Sequence, residues 1–314
     1  MGMTTDDIFG ARPGVERAAP GSYGVPPRGH RLPADVRVGR VRLQVSDLER
    51  SLAFYADVLG LRLVARSTER AEFAAQGDDR VLVELVHGPN VRPGGRGARL
   101  GLYHFAILVP DRASLGRFVQ HLGTLGVRAG AGDHLVSEAF YLHDPDGLGI
   151  EVYADRPREA WRRIRRELQM ATDPVDVHDL LRATGDTPWE GMPAGTVIGH
   201  VHLHVGDIAE AAAFYADGVG FDRMTWSYPG ALFLAAGGYH HHLGTNTWAG
   251  PGAVPAAPDQ ARLLEWTIEL PDTGAVSAVA ANLESAGYRP EPVGEEGFVV
   301  ADPWGTRLRV RPAR

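Results

Sequence analysis

The chain of 314 residues contains no cysteine, which excludes disulfide scaffolds, thiolate metal sites and cysteine nucleophiles together. It also lacks any run of roughly eighteen apolar residues, the length that a membrane-spanning helix requires. No basic-then-apolar stretch typical of a secretory signal opens the sequence. We therefore expect a cytoplasmic protein that makes no contact with a membrane.

Positive charge is not in excess either. The 39 acidic residues outnumber the 32 basic ones and give a formal net charge of −7, which argues against a nucleic-acid partner. The length is sufficient for two domains of ordinary size. With 13 histidines and no cysteine, imidazole and carboxylate are the strong metal ligands available.

The sequence repeats one pattern four times. Residues 39–47, 103–111, 199–207 and 265–272 each read as a short strand of alternating hydrophobicity that ends at an aspartate. An amphipathic helix and two or three short β-segments follow each time. The sequence therefore predicts four βαβββ modules in an α+β fold, and the four aspartates are expected to cap the helices: Asp47, Asp111, Asp207 and Asp272.

The module boundaries follow from this repeat. Residues 36–155 are predicted to hold modules 1 and 2, and residues 196–314 modules 3 and 4, with a linker at 156–195 between them. Residues 1–33 are rich in Gly, Pro and Arg without periodicity, which predicts a flexible arm. Within the linker, the charged segment 158–170 predicts a basic surface helix.

Two βαβββ modules side by side form a curved, cup-like half-barrel. This repeated arrangement resembles the vicinal oxygen chelate superfamily, which includes glyoxalase I, bleomycin- and fosfomycin-resistance proteins and the extradiol ring-cleaving dioxygenases. The stretches YHFAIL, GIEVYADRP, GHVHLHV and YHHH are similar to the subgroup of the bacillary catechol-2,3-dioxygenase. The superfamily also contains binding proteins without metal, so the fold alone does not decide the chemistry.

The resemblance implies fixed places for metal ligands. One place lies on each opening strand, seven residues before the capping aspartate, and is occupied by Arg40, His104, His200 and Glu265. The other lies on the closing strand, and is predicted to be occupied by Glu84, Glu151, His242 and Arg309, with the register in modules 1 and 3 open by one residue.

The pairing of the modules decides how these residues are grouped. If neighbouring modules pair, each cup has an arginine among its ligand positions, which lowers metal affinity. If module 2 pairs with module 3, one cup gathers His104, Glu151, His200 and His242. The 1+4 cup then holds Arg40, Glu84, Glu265 and Arg309, a self-neutralising cluster in which Arg309 is expected to compensate Glu84. We therefore predict the swapped pairing, 1+4 and 2+3.

Two imidazoles and one carboxylate form the facial triad of non-haem Fe(II) oxygenases. The resemblance implies that His104, His200 and Glu151 bind Fe(II), with Mn(II) as an alternative, and that the enzyme cleaves a catechol-type aromatic diol with O₂. It further implies that His242 or His241 acts as the acid/base. Tyr141, ten residues before Glu151, and His134 are predicted to orient the substrate, with His134 a possible second acid/base.

Two alternatives remain open. A glyoxalase-like lyase or isomerase would use a divalent ion held by four protein ligands, with His242 bound to the metal directly. A small-molecule binding protein of the drug-resistance kind would hold no metal. His202 and His204, which alternate with His200 on one strand face, are expected to line the cup or bond across strands. Edge-to-edge packing of such cups would make the protein a homo-oligomer.

Overall fold

A computed structural model describes residues 14–94, 99–294 and 297–313. The chain begins with a short strand, β1 (Val15–Arg17), ahead of the first module. Module 1 then contains β2 (Arg37–Val45), α1 (Leu48–Ala53), β3 (Arg62–Arg66), β4 (Arg70–Ala74) and β5 (Val83–His87). Module 2 contains β6 (Arg99–Leu108), α2 (Arg112–Leu125), β7 (Gly130–Asp133), β8 (Ser137–His143) and β9 (Gly149–Asp155).

The linker holds β10 (Arg162–Ile164), β11 (Glu167–Leu168) and α3 (Val177–Arg182). Module 3 consists of β12 (Val197–His204), α4 (Ile208–Ala211), β13 (Asp222–Thr225), β14 (Ala231–Ala235) and β15 (Leu243–Asn246), and β16 (Val254–Pro255) follows it. Module 4 consists of β17 (Arg262–Leu270), α5 (Thr273–Ser285), β18 (Glu291–Val293), β19 (Gly297–Ala301) and β20 (Arg307–Pro312).

The four predicted capping aspartates do begin the module helices. In each case the carboxylate accepts a hydrogen bond from the backbone N–H three residues further on, which satisfies a donor that the first helical turn leaves free. Helices α1 and α4 continue as π-helical turns, over Phe54–Val58 and Ala212–Val219. Within the described ranges, no helix combines the length and apolarity needed to cross a membrane.

Strand pairing confirms the swapped arrangement. One curved sheet has the order β13-β14-β15-β12-β6-β9-β8-β7 and joins modules 3 and 2, while β16 adds to β6. We call it the inner cup. The other sheet has the order β18-β19-β20-β17-β2-β5-β4-β3 and joins modules 4 and 1 as the outer cup. In both cups the opening strands of the two modules run antiparallel at the centre, β6 against β12 and β2 against β17.

Tyrosines tie the two cups together. Tyr55 follows α1 in the outer cup, and its hydroxyl donates to Asp144 of module 2 at 3.2 Å. The Tyr215 hydroxyl in module 3 donates in the same way to Asp302 of module 4 at 2.9 Å. All four side chains are buried. The sequence Phe-Tyr-Ala-Asp occurs in modules 1 and 3. In each case its tyrosine fixes the turn before the closing strand of a module in the opposite cup.

Two predictions outside the modules are wrong. Segment 158–170 is not a helix, because it forms a 3-10 turn at Arg158–Ala160 and then β10 and β11. Its apolar residues Trp161 and Leu168 are both buried, and β11 pairs back antiparallel onto β10.

Residues 14–33 are not a free arm either. Strand β1 pairs with β10, and the Tyr23 hydroxyl donates to the Gly238 carbonyl at 2.7 Å. This segment is held by isolated apolar residues, which form no periodic pattern in the sequence. Residues 1–13 lie outside the described part.

Candidate metal centre

Three potential metal ligands converge at the middle of the inner cup. His104, Glu151 and His200 lie on the neighbouring strands β6, β9 and β12, and Ala106 pairs with both Glu151 and His200. Glu151 Oε2 lies 2.9 Å from His104 Nε2 and 3.2 Å from His200 Nε2. The three side chains are almost fully buried, and the donor atoms lie within 4.8 Å of one another.

The donor set fits a divalent ion. Cis ligands of an octahedral ion with bonds of about 2.1 Å lie about 3.0 Å apart, close to both measured distances. His104 Nε2 is buried and makes no hydrogen bond of good geometry among the described residues, as expected of an atom reserved for a ligand. The group therefore has the spacing and chemistry to hold a metal.

The protonation states also suit metal binding, which needs neutral imidazole and ionised carboxylate. Burial lowers the pKa of His200 to about 4. Burial alone would raise the pKa of Glu151, but contact with His200 and His104 outweighs it and holds this pKa well below its usual range. At neutral pH the site thus offers an ionised Glu151 carboxylate and a neutral His200 ring.

His242 does not occupy the fourth ligand place, so that prediction is wrong. In the outer cup Arg309 pairs with Thr267, and the matching pair in the inner cup is Gly244 with His202. Counting from the capping aspartates, Thr267 and His202 hold equivalent positions, which makes Gly244 the residue equivalent to Arg309. The inner cup therefore has three ligand side chains and a glycine at the fourth place.

His242 instead points away from this centre. Its Nδ1 accepts a hydrogen bond from the Ala236 N–H at 3.2 Å, and its ring packs against Tyr239 and Phe221. The sequence offered three consecutive histidines at 240–242 with no internal signal for the register. Gly237 and Gly238 both have positive φ just before them, and this turn shifts the histidines relative to a regular strand.

A cavity of about 350 Å³ opens beside the three ligands. His104 and Glu151 form part of its wall, and so do the predicted residues Tyr141, His134 and His241. Apolar and aromatic groups supply much of the remaining surface, namely Tyr103, Ala131, Met170, Ala171, Tyr228, Phe233 and Trp248. The cavity therefore combines a metal-ligand cluster with flat, apolar walls.

Tyr141 and His134 act as a pair. The Tyr141 hydroxyl and His134 Nε2 are 2.5 Å apart, and His134 Nδ1 donates to the Ala171 carbonyl at 2.7 Å. Because the carbonyl can only accept, His134 carries a hydrogen on Nδ1, and Nε2 is left to accept from the Tyr141 hydroxyl. Burial, followed by the charge of Glu151, raises the pKa of Tyr141 well above its usual value. Tyr141 is therefore a neutral phenol that faces the cavity.

His241 is the histidine of the triplet that reaches the cavity. Its ring centroid lies 4.0 Å from that of His200 and 5.0 Å from that of Phe233. Burial, and after it the neighbouring imidazoles, lower the pKa of His241 well below its usual value. Of His241 and His242, only His241 is placed beside the ligand cluster.

His202 and His204 bond to a residue that sequence reasoning missed. The Asn246 side chain donates to His202 Nε2 at 2.9 Å, and its oxygen accepts from His204 Nδ1 at 2.6 Å. Asn246 lies on β15, whose parallel register with β12 places it opposite His204. Both histidines are thus held by cross-strand hydrogen bonds, as expected. The alternation of polar residues on β12 was a signal for such a partner.

The equivalent positions of the outer cup form ion pairs, which confirms the predicted self-neutralising cluster but not the pairing within it. Glu84 contacts Arg40 at 3.2 Å and Arg42 at 3.0 Å, whereas Arg309 binds Glu265 through two hydrogen bonds of 2.6 and 3.1 Å. The predicted pairing of Glu84 with Arg309 is therefore wrong. The arginines on β2 reach Glu84 on the adjacent strand β5, so no partner from module 4 is needed.

Comparisons with known proteins agree with this architecture. The model of the Glyoxalase/Bleomycin resistance protein/Dioxygenase superfamily matches residues 37–152 and 197–310. The chain is 45% identical to the catechol-2,3-dioxygenase of Bacillus subtilis (strain 168) over 272 residues, which cover 86% of this chain and 94% of that protein. A lactoylglutathione lyase of Neisseria meningitidis is 32% identical over 124 residues, 37% of this chain and 88% of that protein.

Solved structures show the same fold. A structure described as a putative dioxygenase from Bacillus subtilis superposes with a TM-score of 0.61 at 13% identity, covering 88% of this chain and 84% of that one. Glyoxalase I from Zea mays superposes with a TM-score of 0.53 at 19% identity, covering 88% and 92%. At these identities the likeness extends to the fold alone.

Proposed function

Because the chain belongs to the glyoxalase, bleomycin resistance protein and dioxygenase superfamily, we propose that it is a metal-dependent extradiol dioxygenase, an oxidoreductase. The substrate we propose is a catechol-type aromatic diol, which is cleaved with O₂ beside its hydroxyl-bearing carbons. The similarity to the Bacillus subtilis catechol-2,3-dioxygenase along most of both chains supports this assignment.

The observation that carries the proposal is the number of ligands. His104, Glu151 and His200 offer three donor atoms, while Gly244 stands at the fourth place and offers none. A facial set of three protein ligands leaves coordination positions for a chelating diol and for O₂. A lyase of the glyoxalase kind, with four protein ligands, does not match a glycine at this position.

The metal we propose is Fe(II), with Mn(II) as the alternative that the same donors can bind. When bound, such an ion would act as a Lewis acid for the two diol oxygens and would pass electrons from the diol to O₂. His104 and His200 would contribute imidazole nitrogen donors, and Glu151 would contribute the single negative charge.

The residues around the cavity can orient the substrate and accept its protons. The Tyr141 phenol, whose hydrogen is donated to His134, can accept a hydrogen bond from a diol hydroxyl. His241 stays unprotonated at neutral pH and can accept a proton from a diol hydroxyl. Phe233 and Trp248 provide apolar faces against which a flat ring can stack.

The proposal is tested by oxygen consumption. The purified chain is loaded anaerobically with Fe(II) or Mn(II) and mixed with a panel of catechols in air-saturated buffer. We expect uptake of one O₂ per diol with the absorbance of an extradiol cleavage product. The His104→Ala variant should lose both metal and activity, while His121→Ala on α2, remote from the cavity, should retain them.

The absence of uptake across the panel, with metal bound, would contradict the dioxygenase assignment. Isomerisation of a hemithioacetal without O₂ consumption would then favour the lyase. If the purified protein binds no divalent metal and His104→Ala leaves the affinity for small aromatic molecules unchanged, the binding-protein alternative is favoured instead.

A further inference from the structure

Behind His241, a chain of hydrogen bonds leads from the cavity wall toward solvent. His241 Nδ1 lies 2.7 Å from His240 Nδ1, and His240 Nε2 lies 2.9 Å from Asp155 Oδ1. The Tyr239 hydroxyl donates to the same Asp155 oxygen at 3.1 Å. His240 is fully buried, whereas the Asp155 side chain is 30% exposed. None of these three contacts involves a metal-ligand residue.

The hydrogen positions along this chain follow from counting donors. A carboxylate has no hydrogen to donate, so it accepts from His240, and the His240 hydrogen is on Nε2. With its one hydrogen on Nε2, the His240 ring has a lone pair on Nδ1, which can only accept. His241 must therefore donate from Nδ1. This leaves the lone pair of His241 on Nε2, its other ring nitrogen.

We propose that Asp155 and His240 are positioning residues that hold His241 in the Nδ1–H tautomer and so keep its Nε2 free to accept a proton in the cavity. The proposal rests on the assignment of His241 as acid/base under the proposed function. It follows a general rule, since the hydrogen bond made by one imidazole nitrogen decides which state the other nitrogen adopts.

The surroundings favour a fixed orientation. The His240 ring packs between aromatic neighbours, with ring centroids 4.0 Å from Tyr239 and 5.5 Å from Trp161. Tyr153 extends the network through a hydrogen bond of 2.7 Å to the Tyr239 hydroxyl. Because both imidazoles are buried, water cannot readily replace either hydrogen bond, and a change at Asp155 is felt at His241.

The test substitutes Asp155→Asn. An asparagine can turn its amide NH₂ toward His240 Nε2, which moves the His240 hydrogen to Nδ1 and forces the His241 hydrogen to Nε2. Histidine labelled with ¹⁵N, in the full chain loaded with diamagnetic Zn(II), reports which nitrogen of His241 carries the hydrogen. We expect Nδ1 in the unchanged protein and Nε2 in the variant.

Activity gives a second readout. For Asp155→Asn we expect kcat with catechol to fall about 100-fold while KM changes less than about twofold, since an imidazole in the wrong tautomer cannot serve as base. Asp155→Glu, which keeps a carboxylate, should restore most of the rate. Glu269→Gln serves as a matched control, because it removes a buried carboxylate of the outer cup that binds Arg311.

The two readouts separate the possible failures. A His241 hydrogen on Nε2 in the unchanged protein, or equal losses for Asp155→Asn and Asp155→Glu, would overturn the positioning role. If no diol is cleaved by the unchanged enzyme, the proposed function fails, and the ¹⁵N spectrum still decides the tautomer.

Discussion

The inner and outer cups share one topology and one register but differ at four equivalent positions. Each inner-cup residue has an outer-cup equivalent: His104 corresponds to Arg40, Glu151 to Glu84, His200 to Glu265, and Gly244 to Arg309. In both cups these places bring buried carboxylates to the centre of the sheet.

The difference lies in how each carboxylate is neutralised. In the outer cup, guanidinium groups lie against Glu84 and Glu265. Glu151 of the inner cup contacts only imidazoles among the ion pairs of the described chain, and burial keeps the pKa of His200 at about 4, so that ring is neutral at pH 7. A buried carboxylate without a cation is costly. A divalent ion bound by these three residues would supply in the inner cup what arginine supplies in the outer one.

The largest effect should come from exchanging the two glutamates for glutamine. Glu151→Gln removes the only negative ligand, and we expect loss of stoichiometric metal and a fall of roughly 10³-fold or more in ring cleavage. The Glu84→Gln variant, changed at the equivalent place of the outer cup, should keep the metal of the inner cup. Elemental analysis and O₂ uptake on both variants measure this, and circular dichroism confirms folding. Metal retained by Glu151→Gln would refute the role of the inner cup.

The outer cup should depend on its ion pairs for stability alone. Glu265→Leu leaves the guanidinium of Arg309 without its partner, and we expect a loss of about 3 kcal/mol, at the lower end for buried pairs because Arg309 retains some exposure. The double variant Glu265→Leu/Arg309→Met should recover most of this loss. Denaturant unfolding measures both, and unchanged metal content is the control. An equally unstable double variant would argue against the pairing.

The glycine at the fourth place can be tested by adding one carbon. A Cβ at Gly244 would lie 2.8 Å from Cγ of His202, so Gly244→Ala must displace that ring. We expect a loss of about 2 kcal/mol, as for other overpacked sites. Because the His202 ring centroid lies 5.0 Å from that of His104, activity should fall as well. Gly123→Ala in α2, where nothing lies within 4 Å, should be neutral or stabilising.

Much of this comparison could be predicted from the sequence, because repetition supplies its own alignment. The capping aspartates set a common origin, and the separation of histidines from arginines indicated which modules pair. His104, Glu151 and His200 follow because the same spacing recurs in equivalent modules, even though the pairing of β6 with β12 contains register shifts. Positions that share a spacing with an equivalent module were therefore accessible without a structure.

Predictions failed where the backbone is irregular. The turn at Gly237 and Gly238 lies ahead of the histidine triplet and changes its register, so His242 was assigned to a place that Gly244 holds. Asp155, four residues after Glu151, gave no signal, because its partner His240 is distant in sequence and carries no spacing rule. Strand β1 was missed because three residues paired to a linker strand show no periodicity.

The smallest effect concerns the turn aspartates that the two cups share. Burial raises the pKa of Asp144 to about 7, above its value of about 3.9 in an unfolded chain. The favourable contribution of protonated Asp144 to the free energy of unfolding is thus complete below about pH 4 and is lost as the pH rises through 7. Between pH 6 and pH 7 we expect a loss on the order of 1 kcal/mol that Asp144→Asn abolishes. Asp302, whose pKa burial also raises, is the matched site in the outer cup. Denaturant midpoints of both Asn variants, followed against pH, measure the contribution, and a pH dependence of Asp144→Asn identical to that of the unchanged chain would show that Asp144 does not titrate in this range.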